Sequence, residues 1–382
     1  MKSEPLLDSA VLLINPTRYP GYVRALKRLV KQRRIPLVIE TRDREHFMQS
    51  VREFCSGPHQ YLLVWGGDGT AHLAVNAMMD AECASEKAVG FLRGGTGNGI
   101  QDSYSVPFGL SRQIRSYARS ITRGLTINVD LLAISDGHNT RYGQLVGFGF
   151  DSTVSRRRDD LVSRRGYSAG FLDYAWATVE TFFGNFYNER YPFHLDLSNG
   201  KYAYRGPRIN AEFSFKHLSR RSPAPMIELG TRPYYGKLFK VCPDVVCNDG
   251  NLDLYIFDIR RKQALAANVS ALWRGKHDVI NRRLIARRQG MIERYEVKQV
   301  DIGCETAFDY HIDGELMHAR ERGPRETAEL SVTIVPEAIR FLVPEHFYRL
   351  FYPFEYDSSF EWSREERNER RKERNTHVDT TS

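Results

Sequence analysis

Between residues 11 and 92 short, wholly apolar runs alternate with segments of helical periodicity, and this alternation restricts the fold more than any other feature. VLLIN, PLVIE, YLLVW and AVGFL have the length and composition of buried strands. A basic segment near 21–33, another near 44–55 and a third from about 71 carry helical spacing. Strand and helix in turn predict a parallel sheet with helices on both faces. Ligands in such sheets sit beyond the carboxyl ends of the strands.

From about residue 125 the pattern changes. LTINVDLLAIS, DGHN and TRYGQLVGFGF read as strand, turn and strand, and so do YPFHLDLS, NG and KYAYR. Helices are expected over GYSAGFLDYAWATVETFF at 166–183 and near 261–275, after the strand NLDLYIF. Further strands are expected near 295–303, 308–318 and 328–335, with Asp313–Gly314 at a turn. The expected fold class is α/β: an N-terminal doubly wound parallel-sheet domain over 9–125 and a C-terminal antiparallel β-sandwich-like domain over 126–345. Residues 346–382 form an aromatic, then charged extension, expected to pack back on the first domain and to end in a solvated tail, SREERNERRKERN.

With 382 residues, 41% of them hydrophobic, the chain can fill two cores. No run approaches the roughly 18–20 apolar residues of a membrane span, and MKSEPLLDSA lacks the layout of a signal peptide, so a cytoplasmic location is expected. Five cysteines without a C-x-x-C pair indicate neither a disulfide framework nor a zinc site and are read as reduced thiols. The formal charge of +8 favours acidic partners. Dispersed basic residues without a recognised motif argue against nucleic acid and leave phosphorylated substrates and anionic membrane surfaces.

Three glycine-bearing turns fall at strand ends: INPTRYPG, GGDGT and RGGTGNG. Glycine permits close backbone approach, and free N–H groups at a helix start attract anions, so the set suits a phosphate chain, although any one turn could be purely structural. No lysine follows as a Walker A loop requires, and His72 takes the third glycine position of a dinucleotide fingerprint at 67–72. His72 itself is read as a capping or packing residue.

GGDGT at 66–70 followed by GGTGNG at 94–99 resembles the catalytic domain shared by diacylglycerol kinases, sphingosine kinases and bacterial lipid kinases. The resemblance extends in order through NP at 15–16, NVDLL at 128–132, GFGFD at 147–151, DGNLDL at 249–254 and DGE at 313–315, and covers roughly residues 9–345. It implies phosphorylation of a lipid hydroxyl by ATP with Mg2+, in a cleft between the two domains. By match to those motifs, Asn15, Gly66, Gly67, Asp68, Gly69, Thr70, Gly95, Thr96, Gly97 and Asn98 form the ATP-contacting set. Asp313 and Glu315 face the transferred phosphate. Asp313 is taken as general base and Asp68 as the residue organising magnesium and the phosphates, with the exchanged assignment left open.

Two positions depart from the family. Gly99 stands where an aspartate usually follows GTGN, the nearest carboxylate being Asp102, and the loop after Asn-Pro offers Arg18 in place of a lysine. An NAD kinase-like enzyme and a weakly active lipid-binding regulator therefore stay open as alternatives. Asp136–Gly137 is read as a plain turn, and Asp249 and Asp253 as a solvated turn or a structural metal site. Arg156, Arg157, Arg158, Arg164 and Arg165, beside the aromatic helix at 166–183, are expected to meet an anionic membrane surface during peripheral association. The acceptor lipid and the oligomeric state are not legible.

Overall fold

A computed structural model describes residues 9–16, 20–32, 35, 37–165, 181, 192–203, 213–236, 238–319 and 327–355. The first part runs β1 (Ala10–Ile14), α1 (Pro20–Gln32), β2 (Leu37–Glu40), α2 (Arg44–Ser56), β3 (Tyr61–Gly66), α3 (Asp68–Asp80), β4 (Ala88–Arg93), α4 (Gly99–Ser103) and α5 (Leu110–Arg123). Its strands pair in parallel in the order β4-β3-β1-β2. Successive residues of a strand point to opposite faces, and both faces here are dry. Val11, Leu13, Leu62 and Val64 pack with Phe47, Phe54 and Met78 of α2 and α3. Leu12, Ile14, Leu63 and Trp65 pack with Leu26, Val30, Ile114 and Tyr117 of α1 and α5. Each such buried side chain is worth about 1.5–3 kcal/mol over its exposed state, which is why the apolar runs could be read so directly.

The second part contains β5 (Thr126–Ser135), β6 (Thr140–Gly143), β7 (Leu145–Gly149), α6 (Phe150–Arg165), β8 (Phe193–Tyr202), β9 (Phe213–Ser222), β10 (Met226–Gly230), β11 (Tyr234–Gly236) and β12 (Phe239–Lys240). Then come β13 (Leu252–Ile259), helices Lys262–Trp273 and His277–Ala286, β14 (Gly290–Val297), β15 (Gln299–Cys304), β16 (Phe308–Ile312), β17 (Glu315–Ala319), β18 (Ala328–Leu342) and helix Glu345–Phe351. Strand pairs within this part are antiparallel and enclose their own core, with Phe148, Leu195, Ile227 and Leu254 at its centre. The chain therefore has the α/β class that its pattern predicts. The two parts share hydrogen bonds: β18 lies antiparallel to β5 and β15 and meets β4 in parallel at Arg340 and Phe341.

Several expectations change. Asn199–Gly200 is not a hairpin turn: β8 runs through it, with Asn199 at φ +51°, because ladders with β9 on one side and β14 and β15 on the other outweigh the local turn preference. A second helix, His277–Ala286, follows the one expected near 261–275, separated by Gly275 at φ +65°. Cys55 and Cys83, 28 residues apart, are joined in a disulfide, whereas Cys242, Cys247 and Cys304 are buried free thiols. The packing of α2 against α3 brings the bridged pair together, and sequence spacing carries no trace of that. Asp136 accepts hydrogen bonds from the N–H groups of His138 and Asn139 (2.9 and 2.8 Å), as a turn residue does. The helix expected at 166–183 lies, apart from Thr181, outside the described residues, as do 356–382. Before that point Phe347 stacks edge-on against Tyr104 of the first core, with ring centroids 5.3 Å apart.

Candidate active site

The site forms where the carboxyl ends of β1, β3 and β4 meet the hairpin between β16 and β17. The turn after β3 is tight: Gly66 ends the strand, Gly67 caps α3, and Asp68, Gly69 and Thr70 make the first turn of the helix. Asn15, just past β1, donates from Nδ2 to Thr70 Oγ1 (3.2 Å), and its backbone N–H donates to the Trp65 carbonyl (3.2 Å). The loop after β4 closes on itself, since Gly95 N–H donates to Asn98 Oδ1 (3.0 Å) and Asn98 Nδ2 donates back to the Gly95 carbonyl (2.8 Å). The two turns touch backbone to backbone. A Cβ on Gly67 would lie 2.9 Å from Gly95 Cα, so neither position accepts a side chain. Thr96 and Gly97 complete this half-buried loop, which leads directly into α4. Arg18 lies outside the described residues.

Asp68 is half-buried at the junction, with Oδ1 accepting the Ile100 N–H (3.0 Å). Asp313 lies deeper, at φ +51° and followed by Gly314 at φ +86°, the paired positive angles of a two-residue hairpin turn. Turn and site thus coincide at Asp313–Gly314. Between β6 and β7 the ladder breaks at Gln144, and the Gln144 and Leu145 N–H groups donate to the Asp313 carboxylate (3.2 and 3.0 Å). Arg232, fully buried, donates from Nη2 to Asp313 Oδ1 (3.1 Å) and from Nη1 to the Tyr234 carbonyl. Burial alone would raise the Asp313 carboxyl, but the Arg232 guanidinium, His72 and the Gln144 N–H together hold it down at about 2. Asp68 moves the other way. Burial pushes it up, Arg232 and the Ile100 N–H oppose that, and the Asp313 charge adds to the rise.

Two residues of this site were missed from sequence. Arg232 was one cation among 55, with no motif around it. His72, dismissed as a packing residue, places Nδ1 3.5 Å from Asp313 Oδ2 and Nε2 3.6 Å from Glu315 Oε2, with Glu315 also held by Arg44 Nη1 (3.2 Å). Its position at the third residue after the GGDG turn, on the face of α3 that follows Asp68, was the available signal.

The Gly99 departure has a local cause. A Cβ at residue 99 would overlap the Tyr235 carbonyl oxygen and lie 2.7 Å from Arg232 Nη1, because the β11–β12 hairpin packs directly on this loop. Asp102 is tied to the same framework, paired with Arg93 Nη1 (2.7 Å) and accepting the Leu238 N–H (3.0 Å). Replacing Gly99 with the aspartate usual in the family is therefore expected to lower unfolding stability by about 1–3 kcal/mol, as overpacking does. Urea denaturation checks this, and an unchanged midpoint would mean that the hairpin yields freely.

Asp249 and Asp253 do not form a shared site: Asp249 accepts the Asn251 N–H (3.0 Å) within its turn, while buried Asp253 is paired with Arg294 Nε (2.5 Å). Among the described residues no group of three or more His, Cys, Asp or Glu side chains is placed to hold a metal.

Parallel strands ending in glycine turns are thus joined to an antiparallel β-domain that supplies an acidic hairpin. The diacylglycerol kinase catalytic domain family matches residues 9–134, and the YegS C-terminal NAD kinase beta sandwich-like domain matches residues 144–343. The chain belongs to the family that joins these two domains, the lipid kinases of diacylglycerol kinase and YegS type. Sphingosine kinase 1 of Arabidopsis thaliana is 24% identical over 277 residues, which are 66% of this chain and 56% of that protein, so the chain spans little more than half the length of this relative. "Probable lipid kinase YegS-like" of Yersinia pestis (strain Pestoides F) is 20% identical over 283 residues, covering 74% of this chain and 78% of that protein. A crystal structure of a diacylglycerol kinase from Bacillus anthracis str. Sterne shares the fold with a TM-score of 0.56 at 15% identity, over 89% of this chain and 98% of that one.

Proposed function

We propose that this chain transfers the γ-phosphate of ATP to the hydroxyl of a membrane lipid of diacylglycerol or sphingoid type, working peripherally at the membrane. The observation that carries the chemistry is the contrast between two aspartates under one arginine. Asp313 is buried, its oxygen atoms are filled by protein donors, and it holds its charge down to about 2, so it is a poor proton acceptor. Asp68 is half-buried beside the glycine turns and its carboxyl is raised, which suits it to take the proton of the acceptor hydroxyl. This moves the role of base from Asp313, where motif order puts it, to Asp68. Asp313 becomes the anchor that fixes Arg232 and His72, and through His72 the carboxylate of Glu315.

The Gly67 and Gly95 backbones pack too closely for a Cβ on either, and this contact brings together the two turns where the phosphate chain would lie. Magnesium, when bound with the nucleotide, offsets the charge of the phosphate oxygen atoms. Those oxygen atoms and water would supply most of its ligands, which leaves the Asp68 carboxylate open to the acceptor hydroxyl. Thr70, two residues after Asp68 and next to Gly69, ties the start of α3 to Asn15.

The test is an incubation of the purified chain with ATP and a panel of lipid alcohols, with NAD as a separate arm because the matched C-terminal domain is described by its likeness to that of NAD kinases. Mass spectrometry is expected to find one phosphorylated lipid class and unchanged NAD. Phosphorylation of NAD in preference to every lipid alcohol would overturn the reading.

A further inference from the structure

One of the densest blocks of positive charge in this protein follows β13. Residues 260–289 contain nine Lys and Arg against the single acid Asp278, a formal +8 that equals the net charge of the whole chain. This segment is the helical pair Lys262–Trp273 and His277–Ala286. Two of the charges are held by neighbours, Arg260 by Asp258 (3.1 Å) and Arg282 by Asp278 (2.9 Å), while Arg274, Lys276, Arg287 and Arg288 stand exposed.

The helix Lys262–Trp273, KQALAANVSALW, has no acid and one cation, yet its outer face is open to solvent. Val269 and Trp273, one turn apart on that face, are 50% and 43% exposed. Beside them the β11–β12 hairpin presents Leu238, 50% exposed and held at φ +60°, a conformation that a branched side chain rarely adopts. Phe239 of the same hairpin stacks on Trp273 with ring centroids 5.2 Å apart, so hairpin and helix form one surface. That surface is continuous with the site: the Tyr235 carbonyl abuts Gly99, and the Leu238 N–H donates to Asp102 beneath the phosphate loop.

We infer that this face, with Leu238, Val269 and Trp273 at its centre and Arg274 and Lys276 at its edge, docks the protein on an anionic lipid bilayer. The inference rests on the lipid-kinase reading and gives it a geometry, since the apolar tips would enter the head-group layer next to the loop that meets the acceptor. Protruding Leu and Val beside the cations favour a lipid surface over nucleic acid, whose phosphates reward polar donors. Of the arginines favoured from sequence, Arg156 is paired with Asp309 (3.0 Å), and the side chains of Arg158, Arg164 and Arg165 lie outside the described residues.

Sedimentation with vesicles of phosphatidylcholine, with and without phosphatidylglycerol, tests the inference. The protein is expected to bind the anionic vesicles more tightly, less so as salt rises, with a blue shift of Trp fluorescence that Trp273→Phe diminishes. Arg274→Gln with Lys276→Gln should weaken binding about 10-fold or more, and so should Leu238→Asn with Trp273→Ala, asparagine being suited to the positive φ. Arg156→Gln should bind as the unaltered protein does. Phosphorylation of a short-chain, water-soluble acceptor should be unchanged in all these variants. Equal binding to neutral and anionic vesicles, unaltered binding by both double variants, or binding of RNA without vesicles would overturn the inference while leaving the kinase reading intact. Vesicle docking on this face with no lipid alcohol phosphorylated would instead remove the kinase reading.

Discussion

Arg232→Met is expected to cost about 3–5 kcal/mol of unfolding stability, the usual penalty for breaking a buried ion pair from one side. The arginine is fully buried and lowers the carboxyl of Asp313 directly and that of Asp68 nearby. Methionine fills most of its volume and answers neither charge. Adding Asp313→Asn, which keeps the positive-φ turn and removes the stranded charge, should recover part of the loss, so a double-mutant cycle should show coupling between the two positions. Acid sensitivity should change as well. A carboxyl held below its unfolded value contributes stability that is whole above an unfolded pKa of about 3.9 and is lost as pH falls through the folded value. For Asp313 that folded value is about 2, and without Arg232 the contribution shrinks. Denaturant unfolding of Arg232→Met within about 0.5 kcal/mol of the unaltered protein would show that the pair does not hold the hairpin to the site.

The parallel half was legible because β1, β3 and β4 are buried on both faces, which leaves apolar runs in the sequence, while β2 at the sheet edge is partly exposed. Helices α1, α2 and α3 were legible from their spacing, whereas α4 and α5 were not foreseen. The glycine turns were readable as a set, since close approach of Gly67 to Gly95 admits no side chain at either position. What escaped was set by long-range contacts. Arg232 matters because β10 carries it beneath Asp313, 81 residues away, and nothing near it in sequence reflects this. Asn199–Gly200 has the composition of a turn but sits in a strand with partners on both sides. The Cys55–Cys83 disulfide depends on two helices meeting. The departure at Gly99 looked like a loss of function and is accounted for by packing, because the neighbouring hairpin fills the space an aspartate would need. The split of labour between Asp68 and Asp313 also needed the structure, since both are Asp-Gly dipeptides in sequence and only burial and the arginine tell them apart.

The most direct measurement compares lipid phosphorylation and ATP affinity in the unaltered protein and in Asp68→Asn. Asparagine keeps the size of the turn residue and its place at the start of α3, but it cannot take a proton from the acceptor hydroxyl. The glycine backbones proposed to cradle the phosphates are untouched, so ATP should bind within a few-fold of its original strength. Turnover should fall about 100-fold or more, the scale on which a lost acid–base or electrostatic group is felt. Loss of transfer with ATP affinity kept would place the reacting carboxylate at Asp68. Phosphorylation of the lipid by Asp68→Asn at close to the original rate would contradict the account at its centre.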